Sequence, residues 1–436
     1  MKSVKVGILG LGTVGGGTAN VLQRNVTEIT RRTGYAISVK SASVRDLKAT
    51  RICDTEQLHL TTDPFEIIAD PEIDIIIELI GGDTLARDCV LQAIENGKHV
   101  VTANKALIAL HGNNIFEKAA EKGVMVMYEA AVAGGIPIIK AVREGLSANQ
   151  IEWLAGIING TGNFILTEMR DKGRNFNDVL AEAQALGYAE ADPTFDVEGI
   201  DAGHKLAILA SIAFGIPLQF DKVFTEGITK ITREDVNYAE ELGYRIKHLG
   251  IAKRSEDGIE LRVHPTLIPE KRLIANVDGV MNAVLVKGDA VGATLHYGAG
   301  AGAEPTASAV VADVIDVARS LTSKPENRVP YLGFHSQAIA DSTILTMEQV
   351  QTTYYLRLNA EDKAGVLADV TRLLAKQAIS IEAVIQKEPH EGETLLPIIL
   401  LTQKTHEYKM NKAIAEIEAL IAISGSVTKI RVETLG

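Results

Sequence analysis

Asp201 and Lys205 stand four residues apart in DVEGIDAGHKLAIL, residues 196–209, where a run of acids gives way to an apolar stretch. On a helix that spacing puts carboxylate and ammonium on one face. Two chemistries fit the pair: an ordinary surface ion pair, or an ammonium kept ready to donate a proton to a reacting oxygen. The segment by itself leaves both open. A second lysine, Lys105, lies in VVTANKALI at the carboxyl end of an expected strand. Open α/β sheets bind ligands at that edge, although a lysine can also simply snorkel from a strand end. Just upstream, LGYAEADPTFD is dense in acids, with Glu190, Asp192 and Asp196. Carboxylates accept from a ligand's ammonium group, and a solvated acidic loop has the same composition. NGTGN, residues 159–163, reads as an Asn-Gly turn between strand and helix and receives no role. His204 reads as a packed or exposed histidine rather than a general base.

The glycines are more specific. ILGLGTVG gives Gly10-x-Gly12-x-x-Gly15 directly after an expected strand and before GTANVLQR, an expected helix. The first glycine permits a tight turn, the second lets a pyrophosphate approach the backbone, and the third lets helix pack on strand. That pattern points to a dinucleotide. The second strand ends in SVRD. Arg45 there suits the 2′-phosphate of NADP, whereas Asp46 beside it suits the ribose hydroxyls of NAD.

Such residues need elements to hold them. Up to about residue 129, short β-branched runs (VKVGILG, AISVKSASV, DIIIELIGG, HVVTANK, VMVMYEA) alternate with helical stretches. This is the pattern of a doubly wound, Rossmann-type parallel sheet over residues 1–130. Residues 131–304 read as a central α+β domain for substrate and dimerisation. The helix expected at 305–322 returns to the first domain, and 323–349 form a polar, proline-bearing linker. Residues 350–436 then run strand, helix, strand, strand, helix, strand, the βαββαβ order of a ferredoxin-like unit. In its second helix Met410, Ala413, Ile414, Ile417, Leu420 and Ile421 share one face. The whole is an α/β and α+β multidomain chain.

Bulk composition narrows the function classes. The 436 residues carry a net charge of −12 with lysine and arginine dispersed, so no basic stripe is available to nucleic acid. Two cysteines, Cys53 and Cys89, make neither a disulfide framework nor a metal pair, which suits a cytoplasmic protein. The apolar start is broken by glycines, unlike a signal peptide, and IDIIIELIGG is far short of a membrane span.

Taken in order, GILGLGTVG, TANKALI, YEAAVAGGIPII, NGTGNFIL, LGYAEADPTFDVEGIDAGHKLAIL and LNAEDKAGVLADVTRLL resemble the homoserine dehydrogenases of the long form, which end in an ACT regulatory domain. The resemblance spans essentially the whole chain. It implies reversible, NAD(P)H-dependent reduction of L-aspartate 4-semialdehyde to L-homoserine, toward threonine, isoleucine and methionine. Carried across residue by residue, it makes Lys205 the proton donor and puts Lys105 near cofactor and substrate. It assigns Gly187, Glu190, Asp196 and Asp201 to the substrate pocket. Gly10, Leu11, Gly12, Thr13, Val14, Gly15, Arg45 and Gly302 then contact NADP(H) or NAD(H). Glu129, Val132, Gly134 and Ile136 match a segment that holds a monovalent cation, Na+ or K+, largely through backbone oxygens. The ACT unit implies a homodimer or homotetramer and an amino-acid effector such as threonine near NAEDKAG. One departure is Gly162 at the variable position of the NGTxN element, which loosens that turn without removing a donor. Two rivals are weaker. An aspartate-semialdehyde dehydrogenase needs a nucleophilic cysteine, and neither Cys89 nor Cys53 has a catalytic setting. Against a non-catalytic sensor of NAD(P) and an amino acid stand Lys205, Asp201 and Glu190.

Overall fold

The computed structural model describes residues 2–387 and 395–436. It comprises two compact units, the first built from Met1–Gly160, Asp201–Val223 and Val280–Ser342, the second from Thr161–Ile200, Phe224–Gly279 and Thr343–Gly436.

The first unit holds a six-stranded parallel sheet of β1 (Lys2–Leu9), β2 (Tyr35–Ser43), β3 (His59–Thr61), β4 (Ile75–Glu78), β5 (His99–Thr102) and β6 (Val126–Met127). Their order is β3-β2-β1-β4-β5-β6. Val4, Val6 and Ile8 of β1, Ile75 to Ile77 of β4, and Val100 and Val101 of β5 are all completely buried. Unbroken β-branched runs are what a sheet covered on both faces requires. The covering helices include α1 (Thr13–Arg24), α2 (Val26–Thr33), α3 (Pro64–Ala69), α4 (Thr84–Glu95) and α5 (Lys105–Lys122). Strand order reverses between β1 and β4, which opens a crevice at their carboxyl ends. The helix Ala303–Ser320 shares this core, with Ala307, Val310, Val314 and Val317 clustered with Val4, Val6, Ile8 and Leu22. It approaches α1 so closely that a Cβ on Gly17 would lie 2.6 Å from the Ala303 oxygen.

Two local expectations shift. The strand expected to run through TANK stops at Thr102, because the Asn104 side chain accepts from Leu107 N at 3.1 Å and caps α5. Lys105 is therefore the first residue of a helix, not the last of a strand. The three-residue β3 is too short for an alternation pattern to announce it. The unit also holds an antiparallel trio in which Met281–Gly288 pairs with both Ile151–Ile157 and Gly292–Ala299. The helix Ile200–Phe214 is buried along nearly its whole length, and beyond Lys205 every residue but Ser211 is apolar.

In the second unit the sheet order is Tyr244–Arg254, Ile259–Pro269, Ile423–Val432, Gln351–Glu361, Leu395–Thr402, Ile381–Gln386. The last four strands, with helices Val366–Lys376 and Glu407–Glu418, give the expected βαββαβ order. Both faces of that part of the sheet are apolar. Tyr354, Leu356 and Leu358 pack under the two helices with Val370, Leu374, Met410 and Ile417. Tyr355, Ile399, Leu401, Ile430 and Val432 point the other way and join Ile165, Val236, Ile246 and Leu267 in a second core. The segment from residue 350 consequently shares a core with strands and helices from the middle of the chain. Ion pairs reinforce this: Arg357 Nε donates to buried Asp235 Oδ1 at 2.6 Å, and buried Arg431 Nη1 donates to the partly exposed Glu226 Oε2 at 2.8 Å. The helix expected to run from Tyr408 to Ile423 ends at Glu418. Met410, Ala413 and Ile417 are buried as read, and Ile414 and Leu420 pack partly against them, but Ile421 is 100% exposed where the chain turns into the last strand. Among the described residues no helix is long and apolar enough to cross a membrane.

Candidate active site

Asp201 sits in the first turn of the helix Ile200–Phe214, where the helix dipole favours an anion. Its Oδ2 accepts from Lys205 Nζ at 2.7 Å and from Asn159 Nδ2 at 2.9 Å, and its Oδ1 lies 3.2 Å from Lys105 Nζ. Lys205 Nζ also donates to the Ile158 carbonyl at 2.7 Å. Side-chain exposure is 6% for Asp201, 12% for Lys205 and 34% for Lys105. The surface-pair reading is thus overturned. Three elements of the first unit meet here: the end of the strand Ile151–Ile157, the start of α5 and the start of the buried helix. Burial pushes the Asp201 pKa up, but the charges of Lys205 and Lys105, with hydrogen bonds from Lys205 and Asn159, outweigh it and hold the carboxyl well below the usual range. One buried carboxylate thus lies against two ammonium groups, Lys205 nearly buried and Lys105 a third exposed. Such a cluster favours negative charge developing on a nearby oxygen.

Asn159 is the residue the sequence reading missed. NGTGN is indeed the turn between strand and helix, but the Asn159 amide reaches 42 residues along the chain to Asp201, and no local pattern signals that. His204 behaves as read. Burial pushes its pKa down to about 4, and its ring packs against Phe220 with centroids 4.1 Å apart.

The glycine loop has the geometry a pyrophosphate needs. Gly10 adopts φ 97°, and a Cβ there would lie 2.6 Å from the Leu79 oxygen. A Cβ on Gly15 would fall 2.0 Å from the Gly10 oxygen, whereas nothing approaches the Cβ position of Gly12 within 4 Å. The backbone at Gly12 is therefore open, immediately ahead of the α1 N-terminus at Thr13 and Val14. Leu11 is buried beneath the loop. Gly10 N donates to Ser43 O, tying the loop to the end of β2, and exposed Arg45 follows two residues later. The Asp46 carboxylate is engaged within its own turn, accepting from Lys48 N at 2.8 Å. Gly302, with φ 126°, caps the helix that packs on α1.

Gly187, Glu190 and Asp196 belong to the second unit. Gly187 has φ 77° just after the helix Phe176–Ala185. Glu190 is exposed, and its carbonyl accepts from Gln184 Nε2 at 3.0 Å. Asp196 is half-buried in the short helix Thr194–Val197.

The segment expected to hold a cation is a tight turn in which Ala133 has φ 51° and Gly134 packs against Thr306 and Gly300. Glu129 there is buried, which pushes its carboxyl up to about 7. Its two carboxylate oxygens accept from Ile139 N at 2.9 Å and Lys140 N at 2.8 Å, so they serve a helix N-terminus. Ile136 N donates to Ala133 O. Among the described residues no group of three or more His, Cys, Asp or Glu is arranged to hold a metal ion.

Residues 10–129 match the family described as homoserine dehydrogenase, NAD binding domain; residues 137–315 match homoserine dehydrogenase, and residues 354–419 match the ACT domain. A homoserine dehydrogenase of Pseudomonas aeruginosa is 66% identical over 435 residues, covering all of both chains. The chain belongs to the homoserine dehydrogenase family. The crystal structure of a homoserine dehydrogenase from Thiobacillus denitrificans superposes with a TM-score of 0.96 at 66% identity, covering 100% of this chain and 99% of that one. A hyperthermophilic archaeal homoserine dehydrogenase, solved in complex with NADPH, matches at 25% identity and a TM-score of 0.62 over 72% of this chain and 97% of its own. Membership in the family makes the protein an NAD(P)-dependent oxidoreductase whose substrates are L-homoserine and L-aspartate 4-semialdehyde. The sensor reading is not favoured. The cysteine-dependent rival also fails chemically, since burial pushes the Cys89 thiol up to about 11 and raises that of Cys53.

Proposed function

We propose that Lys205 protonates the aldehyde oxygen of L-aspartate 4-semialdehyde as it becomes the hydroxyl of L-homoserine, with Lys105 beside it and Asp201 holding both lysines. The observation behind this reading is the buried carboxylate shared by the two ammonium groups. The bound nicotinamide supplies the hydride. The chain's part is to meet the negative charge that appears on oxygen, and an ammonium next to a carboxylate keeps its proton at neutral pH until an alkoxide takes it. The Ile158 carbonyl and Asp201, itself held by Asn159, fix the direction in which Lys205 points. In Lys205→Ala, turnover of aspartate semialdehyde should fall roughly 10³-fold, while the Kd for NADPH stays within about twofold. Near-normal kcat would remove Lys205 from the role.

On the same reading Gly10 to Gly15, Arg45 and Gly302 hold the dinucleotide, and exposed Arg45, with Asp46 tied into its own turn, favours NADP(H) over NAD(H). NADPH in the archaeal relative is consistent with that choice. Glu190 and Asp196 receive the amino acid's ammonium, with Gly187 supplying the turn. The ACT match supports an amino-acid effector, threonine by our reading, at the turn between Gln351–Glu361 and Val366–Lys376. Titrating threonine against turnover of the full chain tests this, and unchanged activity would exclude it. No catalytic step is assigned to a cation at Glu129, Val132, Gly134 and Ile136.

A further inference from the structure

Glu78 ends β4 and is completely buried, flanked in the sheet by Leu9 of β1 and Thr102 of β5. The strand reads Ile75-Ile76-Ile77-Glu78, and an apolar fourth residue would fill the same space without desolvating a carboxylate. The acid is held there by converging donors. Ile80 N donates to Oε1 at 2.8 Å and Thr102 Oγ1 donates to Oε2 at 2.6 Å. Thr102 Oγ1 in turn accepts from Asn104 N at 2.9 Å. Asn104 caps α5 through Oδ1, and its Nδ2 donates to Gly82 O at 2.5 Å. The chain of bonds thus begins and ends on the turn after β4 and passes through the cap of α5. Its next residue is Lys105, 3.2 Å from Asp201. The same turn borders the glycine loop, because Leu79 N donates to Leu9 O and the Leu79 oxygen faces Gly10.

We propose that Glu78 is a positioning residue for the reaction: by tying the turn after β4 to the cap of α5, it sets Lys105 against Asp201. This rests on the reading of Lys105 as part of the site. The Glu78 carboxylate serves the Ile80 and Gly81 N–H groups of the turn and, on its other side, the Thr102 hydroxyl and the Asn104 side chain. A glutamine offers one acceptor and turns its other end into a donor facing Thr102, which reverses the second link and deprives the Thr102 proton and the other donors of a charged acceptor, without changing the volume. Thr102→Val breaks the same link from the other side.

The test is a cycle on the full chain with Glu78→Gln, Thr102→Val, Lys105→Ala and the two doubles with Lys105→Ala, assayed for kcat and KM with NADPH and aspartate semialdehyde, alongside thermal unfolding. Glu78→Gln and Thr102→Val should each lower kcat about tenfold, the scale expected when a reacting group is displaced by a fraction of an ångström. In the Lys105→Ala background each should change kcat by less than about twofold. Equal losses in both backgrounds would overturn the proposal, and so would a lowered Tm with unchanged kinetics. If Lys105→Ala itself is as active as the parent, the role of Lys105 fails first and takes this inference with it. Should Glu78→Gln not fold, the Thr102→Val arm decides alone.

Discussion

The Asp201 carboxylate faces three donors at once, and its neutral isostere makes the sharpest residue-level test. Asp201→Asn keeps the shape and removes the anion, leaving Lys205 and Lys105 to repel each other, so one of them gives up its proton more readily. On the proposed role of Lys205 as proton donor, the high-pH limb of the kcat profile should move to lower pH, with kcat at neutral pH falling by about 10²-fold. An unmoved limb would assign Asp201 to the substrate instead. At this scale the sequence showed the pairing, since an i,i+4 spacing is local. It did not show that the pair is buried, which depends on the strand Ile151–Ile157 and α5 arriving from elsewhere. Asn159 was invisible for the same reason.

At the scale of elements, hydrophobic period located most strands and helices but not their ends. Leu420 and Ile421 continue the spacing set by Ile417, yet the helix stops at Glu418 and only Leu420 stays against the core. Ile417→Ala should lower stability by about 2–5 kcal/mol, whereas Ile421→Ala should stay within about 0.5 kcal/mol, as read by the urea midpoint. Where β5 meets β6, His99 Nδ1 accepts from Met125 N at 2.9 Å, which only a neutral ring can do. Burial pushes the His99 pKa down to about 4, below the ordinary value of about 6.5. As pH falls, the unfolded chain therefore takes up this proton before the folded one. The contribution is complete above about pH 6.5, declines between there and about 4, and is flat below. Denaturant titrations across that range should show the parent losing on the order of 2 kcal/mol more than His99→Gln. Parallel curves would contradict the assignment.

At the scale of the whole molecule, the βαββαβ order was legible but the sharing of its core was not. Alternation along a strand tells that two faces are apolar, and not which partner covers the second. Tyr355, Ile430 and Val432 cover Ile246 and Leu267, and Arg357 and Arg431 pair with Asp235 and Glu226 on that side. A chain ending at Ser342 would leave those carboxylates and apolar side chains uncovered. It should lose cooperative unfolding of the second unit and aggregate, by calorimetry and light scattering, rather than behave as an enzyme freed of regulation. Effector sensitivity is better probed by point variants in the full chain.

The helix Ala303–Ser320 carries a consequence for synthesis. The glycine loop lies at Gly10–Gly15, yet the helix that completes the core behind β1 and α1 begins only at Ala303. A ribosome has translated most of the chain before the loop acquires its support. Nascent chains stalled before residue 303 should not be retained on a dinucleotide column, and the full chain should be. Cofactor binding is then a late event of biosynthesis, although its motif leaves the exit tunnel well before that helix.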